Sequence, residues 1–265
     1  MFQFDQDTAV TEVTPGNWQG HISAAWNIGE NPNGGYLVSL AINALRQSLP
    51  HPDPISITTH YLRPGTSDLA CQIQIEIVRT GRTLSTARAT LLQENKARLE
   101  VLAVFGNLSE SVGIDHTLGI VAPHIELPEN CVLRDGQAQG VGLPIGQRLD
   151  TRLDPACASP GQSSSAELNG WNRFKDGREP DSCSLPLFCD TFPPSPFALL
   201  GVVGWVPTIE LTVHVRRRPK PGWLQARFES SDLQNGRLIE NGYLWDSSGA
   251  LVAQSRQIGL VMQAS

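Results

Sequence analysis

The sequence predicts an α+β chain built from one unit used twice, each unit an antiparallel sheet wrapped round one long helix. Two observations carry this. Each half reads as a helix followed by several strands, and turn-marking pairs recur at one offset. Arg63-Pro64 returns as Arg218-Pro219 and Gly81-Arg82 as Gly236-Arg237, both displaced by 155 residues. Two matches at a single offset, in the same order of elements, indicate an internal repeat. At 265 residues the chain has room for two such units. The expected division is 1–110, a connector over 111–140 that is rich in Gly, Pro and Asp, and 141–265.

In the first half, Asn31-Pro32-Asn33-Gly34-Gly35 is a turn that leads into a helix. Leu37, Leu40, Ala41, Ala44 and Leu45 recur with the helical period and form one apolar stripe. Pro50 and Pro52 end it. Residues 71–77 alternate strictly between polar and apolar, as a strand with one wet face does. Thr83 to Leu92 continues the sheet, and Leu99 to Phe105, almost wholly apolar, reads as a central strand. In the second half, Leu185, Phe188, Cys189 and Phe192 have helical spacing, stopped by Pro193-Pro194. Ile209, Leu211, Val213 and Val215 alternate with Thr208, Glu210, Thr212 and His214, and strands are expected over 223–230, 238–245 and 251–262. Strands over 147–154 and 165–174, separated by the loop Pro155 to Ser164, open this unit.

Composition excludes several classes. Hydrophobic residues make up 40% of the chain and charged residues 17%, enough for a folded core. A net charge of −6 argues against nucleic acid as a partner. The longest apolar stretch, Ala198 to Val206, is far short of the ~20 residues of a membrane helix. The acidic start MFQFDQDTAV is unlike a secretory signal, and five cysteines without a CxxC pair fit a reducing cytoplasm rather than disulfides or zinc. Nucleophile-elbow, phosphate-loop, HExxH and dinucleotide motifs are missing, so no metal or cofactor is expected.

Five features remain that could carry chemistry. Gly34 and Gly35 open the first helix, where free N–H groups and the positive dipole end suit a carbonyl oxygen gaining charge; the alternative is a plain turn. Asp190 lies off the apolar stripe of the second helix among uncharged neighbours, as a desolvated base would, or else as an exposed helical Asp. At the repeat offset its counterpart is Gly35. Gln257 shares a strand face with Leu251, Ala253, Ser255, Gly259 and Val261 and needs partners for its amide there. Thr208 offers a hydroxyl just after Pro207, although alternation places it with Glu210 and His214 on an exposed face. Arg216, Arg217 and Arg218 form a short basic run that could meet phosphates or be a solvated strand end.

Together the segments NPNGGYLVSLAINAL, THYLRPG, VRTGRTLSTARATL, LFCDTFPPSPF, PTIELTVHVRRRPKPGWL and GALVAQSRQIGLVM resemble the acyl-CoA thioesterase II family, over roughly 20–108 and 145–265. That resemblance implies a double hot-dog fold, two hot-dog units fused in tandem. It also implies hydrolysis of an acyl-CoA by water held between Asp190, Thr208 and Gln257. Gly34, Gly35, Arg216 and Arg218 are the expected substrate contacts, from the helix end and the basic run. By family analogy the chain would self-associate as a dimer or larger homo-oligomer. The chain departs from the family at His60 and His214, where aromatic residues are usual, and in the extra Arg of RRRP. A non-catalytic acyl-ligand binder is the rival reading.

Overall fold

The computed structural model describes residues 1–109, 113–116, 118–137 and 140–262. The chain starts with α1 (Gln3–Asp7) and the hairpin of β1 (Thr11–Thr14) and β2 (Asn17–Ile22). A small ribbon of β3 (Asn27–Ile28) and β4 (Asn31–Pro32) precedes α2 (Gly34–Ser48). Then come β5 (Asp53–Tyr61), β6 (Leu69–Thr80), β7 (Ser85–Gln93) and β8 (Lys96–Gly106). The second half contains β9 (Val132–Leu133), β10 (Leu149–Leu153), β11 (Glu167–Phe174), α3 (Leu185–Phe188) and α4 (Pro196–Leu200). It ends with β12 (Thr208–Val215), β13 (Leu224–Gln234), β14 (Arg237–Trp245) and β15 (Leu251–Leu260).

Thirteen of these strands form one antiparallel sheet in the order β1-β2-β6-β7-β8-β5-β12-β15-β14-β13-β11-β10-β9. Read outward from the β5–β12 junction, the order is the same on both sides: β5-β8-β7-β6 one way and β12-β15-β14-β13 the other. Thr208, Leu224 and Leu251 begin their strands 155 residues after Asp53, Leu69 and Lys96 begin theirs. The halves meet through backbone pairing of β5 with β12, and Thr58 Oγ1 and Thr212 Oγ1 lie 3.0 Å apart across it.

Helix α2 spans 15 residues and packs against β2, β5, β6, β7 and β8. Asn33 caps it, its side-chain oxygen accepting the Tyr36 N–H at 2.9 Å. Leu49 is extended ahead of Pro50, as a residue before proline must be. The expected single stripe understates its burial: Tyr36, Val38, Ser39 and Ile42 are buried along with Leu37, Leu40, Ala41, Ala44 and Leu45. The reason is that α2 lies between the sheet and α3 of the other half. Each leucine buried there is worth about 1.5–3 kcal/mol relative to exposure.

The second half departs from expectation. Its long helix is replaced by one turn, Leu185–Phe188, and a separate turn, Pro196–Leu200. Thr191 Oγ1 donates to the Phe188 carbonyl at 3.2 Å and Pro193-Pro194 removes further donors, so the helix cannot continue. Asp190 therefore sits just beyond a helix end, not within a helix. Six strands lie outside the sequence expectations: β1, β2, β3, β4, β5 and β9. Part of the supposed connector is structured, since Val132–Leu133 adds to the sheet beside β10 and Arg134 N–H donates to the Thr151 carbonyl. Positions 110–112, 117, 138–139 and 263–265 lie outside the described residues. Among the described residues no helix is long and apolar enough to cross a membrane.

Candidate active site

The N-terminus of α2 and the C-terminus of α3 face one another, and Asp190 lies between them. Its Oδ2 accepts the Gly35 N–H at 2.8 Å and Asn33 Nδ2 at 2.9 Å, while its backbone carbonyl takes a second bond from Asn33 Nδ2 at 2.7 Å. Residues 35 and 190, equivalent in the repeat, are thus in direct contact. That approach needs glycine. A Cβ on Gly35 would stand 2.8 Å from Leu187 Cα and 2.8 Å from the Pro186 carbonyl oxygen. Burial pushes the Asp190 carboxyl up to about 6, against the pull of the Gly35 N–H; the Glu240 charge adds to the rise, and Arg134 and Asn33 oppose it.

Beside it runs a second polar chain. Thr208 Oγ1 donates to Gln257 Oε1 at 3.1 Å, and Gln257 Nε2 donates to Glu240 Oε1 at 2.5 Å. Glu240 Oε2 in turn accepts the Ser195 N–H at 2.6 Å. Glu240 is only 4% exposed, and burial raises its pKa even though Ser195 and Gln257 donate to it. Arg134 is also deep, donating to the Thr191 carbonyl, and burial lowers its pKa to about 10.

Alternation placed Thr208 on the wet face of β12. A bulge between Thr208 and Glu210 overturns this, since Thr208 pairs with Gly259 while Glu210 pairs with Ile258. The extra residue turns Thr208 to the Gln257 side of the sheet. Glu240 was missed, although a signal existed: it keeps the phase of Leu238, Gly242 and Leu244 on β14, an acid in line with buried residues. It faces Gln257 directly across the β14–β15 ladder. In the sequence Asn33 is only part of a turn and Arg134 only part of the connector.

Asp190, Thr208 and Gln257 line one cavity of about 640 Å³, together with Gly34, Arg134 and Tyr61. The remaining wall is largely apolar, including Leu37, Phe192, Phe197, Trp205, Leu260 and Met262. Two expectations need correction. The Gly35 N–H is taken by Asp190 and does not face an incoming oxyanion; Gly34 remains at the cavity wall. Arg216 and Arg218 do not line the cavity, whereas Arg63 does. Arg218 instead grips Asp53, with Nε at 2.9 Å from Oδ1 and Nη2 at 2.8 Å from Oδ2, and Ser182 and the Leu108 N–H complete that carboxylate's shell.

The Asp53–Arg218 pair joins the first strand of one half to the second half. Burial would raise the Asp53 carboxyl, but Arg218, Leu108 and Ser182 outweigh it and hold it below its ordinary value. The stabilisation is therefore present above about pH 4 and lost as pH falls through the folded pKa. Arg218→Ala is expected to cost about 1–3 kcal/mol of stability at neutral pH. In thermal melts that deficit should shrink in acid, and ligand affinity of the cavity should be unchanged.

Residues 22–106 match the profile of the acyl-CoA thioesterase N-terminal domain, and residues 128–261 that of the acyl-CoA thioesterase C-terminal domain. The chain belongs to the acyl-CoA thioesterase family. Among solved structures, a Thermobifida fusca YX protein assigned to thioesterase II superposes with a TM-score of 0.89 at 28% identity, over 99% of this chain and 98% of that one. A hot-dog-fold protein of unknown function from Alicyclobacillus acidocaldarius gives 0.88 at 22% identity, with both chains covered in full. The acyl-CoA thioesterase II TesB2 of Mycobacterium marinum gives 0.79 at 18% identity over 99% of each chain. Sequence relatives include an uncharacterized protein of Mycobacterium tuberculosis (strain ATCC 25618 / H37Rv), 27% identical over 93% of both chains. The thioesterase-like protein TwmA of Talaromyces wortmannii is 23% identical over 98% of this chain and 92% of its own. Membership in the acyl-CoA thioesterase family and a hot-dog architecture accord with the predominantly antiparallel sheet.

Proposed function

We propose that the protein hydrolyses the thioester of an acyl-CoA, using water activated by Asp190. The observation that carries this reading is the meeting of Asp190, Thr208 and Gln257, from three separate elements, on the wall of a largely apolar cavity. An apolar cavity of this size suits an acyl chain, and a few convergent polar groups suit its reactive end. We read the chain as two fused hot-dog units, 1–110 and 141–265, with a connector over 111–140.

In this reading a water molecule lies between Asp190, Thr208 and Gln257, which orient it toward the thioester carbonyl. The hydrogen bonds to Asp190 fall on Oδ2, so Oδ1 takes the water proton as the oxygen attacks carbon. The developing oxyanion is met by the Gly34 N–H at the positive end of α2. Collapse breaks the C–S bond; the proton passes from Asp190 to the departing CoA sulfur, leaving the free acid and the thiol. Arg63, exposed at the cavity, takes over the phosphate-facing part first expected of Arg216 and Arg218.

Thiol release from acyl-CoA esters of graded chain length tests the proposal. Turnover that rises with chain length until the cavity is filled is expected. Saturable binding of the same esters without thiol release would establish an acyl-ligand binding protein instead.

A further inference from the structure

We propose that Glu240 is a positioning residue that sets the direction of the Thr208–Gln257 hydrogen-bond chain. This rests on the hydrolase reading above and goes beyond it, because Glu240 touches neither water nor substrate in that scheme.

The direction follows from what each group can donate. Both Glu240 oxygens face N–H donors, Gln257 Nε2 on one and Ser195 N on the other, so both act as acceptors. The Gln257 amide is thereby held with Nε2 toward Glu240 and Oε1 toward Thr208. Thr208 must then donate its only proton to Gln257 Oε1, at 3.1 Å. Every proton in the chain points toward Glu240, and the lone pairs of Thr208 Oγ1 are left for the cavity.

This matters for a water that has two protons to place. One goes to Asp190 and the other to Thr208 Oγ1, while the second Gln257 N–H can donate to the water oxygen. A lone pair of that water then stays free for the carbonyl carbon. Were the chain reversed, Gln257 Nε2 would donate to Thr208 and the Thr208 hydroxyl would point its proton into the cavity. The water would lose an acceptor and turn a proton, rather than a lone pair, toward the thioester.

Glu240→Gln reverses the chain with almost no change in volume. The new amide keeps an oxygen for the Ser195 N–H and presents N–H to Gln257, which must flip. Assayed by thiol release from an acyl-CoA, the purified full-length variant is expected to lose kcat by about 10–10²-fold, the scale of a misoriented reactant, with KM little altered. The acid limb of its kcat/KM profile should also move to lower pH. Asp190 faces Glu240, Arg134, Tyr61 and Cys189, and the variant removes only the Glu240 charge, which raises the Asp190 pKa. Adding Thr208→Val should abolish most of the further effect of Glu240→Gln, because the two act along one chain.

An unchanged kcat and an unmoved acid limb in a folded Glu240→Gln variant would overturn the inference while leaving the hydrolase reading intact. A wild-type chain that releases no thiol from any acyl-CoA would overturn the hydrolase reading itself. If Glu240→Gln does not fold, the same two readouts on Glu240→Met, which removes the buried charge at similar volume, decide the matter.

Discussion

Asp190→Asn is expected to cut the rate of acyl-CoA hydrolysis by about 10²–10⁴-fold, the usual worth of a general base. The change is conservative by design. An asparagine oxygen can still accept the Gly35 N–H and Asn33 Nδ2, so the helix-end contact survives while the proton acceptor is lost. Wild-type kcat/KM should rise with pH through about 6, where the Asp190 carboxyl ionises, and level off above it. A variant as fast as the parent would eliminate Asp190 as the base.

The same substitution should stabilise the fold. The Asp190 pKa is raised on folding from an ordinary 3.8 to about 6. Its proton-linked stabilisation is therefore complete below the unfolded pKa and is lost as pH rises through about 6. The full loss corresponds to roughly 3 kcal/mol at about 1.4 kcal/mol per pKa unit. Asparagine has no charge to bury and avoids that loss. Thermal melts at mildly alkaline pH should show the variant melting higher, by about 2–4 °C per kcal/mol. An inactive but more stable protein is the signature of a carboxylate kept for chemistry rather than for folding.

Gly35→Ala should produce the opposite pattern, a protein damaged in its fold. The added Cβ meets the backbone of Leu187 and Pro186 at 2.8 Å, and backbone cannot step aside as a side chain can. Pushing α2 and α3 apart is expected to cost about 1–3 kcal/mol. The Gly35 N–H to Asp190 bond would stretch as well, removing a charge-assisted bond of about 1.5–3 kcal/mol. Gly34→Ala is the control. Its Cβ meets the Tyr61 ring at 2.9 Å and Asp190 Oδ2 at 3.0 Å, side-chain atoms rather than backbone. Chemical denaturation should rank Gly35→Ala well below Gly34→Ala; equal stability would show that the helix ends can separate freely.

Legibility followed the range of the interactions. Helix α2 could be read because its period, cap and terminal proline are all local. The 155-residue offset could be read because duplication leaves turn residues in place. Strand β5 shows no clear alternation of its own, yet projecting β12 back by 155 residues lands on Asp53, where β5 begins. The spacing overstates the second helix, because Leu185, Phe188, Cys189 and Phe192 keep helical spacing even where Thr191 and the prolines end the helix.

The site divides the same way. Asp190, Thr208 and Gln257 were singled out as residue types on suitable elements, and the family resemblance joined them. Their meeting in one cavity depends on the β12 bulge, which strict alternation argued against. Strand phase marks Glu240 as an acid in line with buried residues, but its place in the site comes from the cross-strand pairing with Gln257, and that of Arg134 from its contacts with Thr191 and Asp190.

What the sequence determined by itself was the repeat, the α+β class, the family and the identity of three polar groups, because each is written in residue type and spacing. Only the tertiary structure decided that Gly35 serves Asp190 instead of an oxyanion, that Arg218 secures Asp53 instead of a phosphate, and that Glu240 orders the chain behind Thr208. Those outcomes depend on which donor reaches which acceptor once the strands are paired and the two halves are brought together, and such a contact is not a property of any one stretch of sequence.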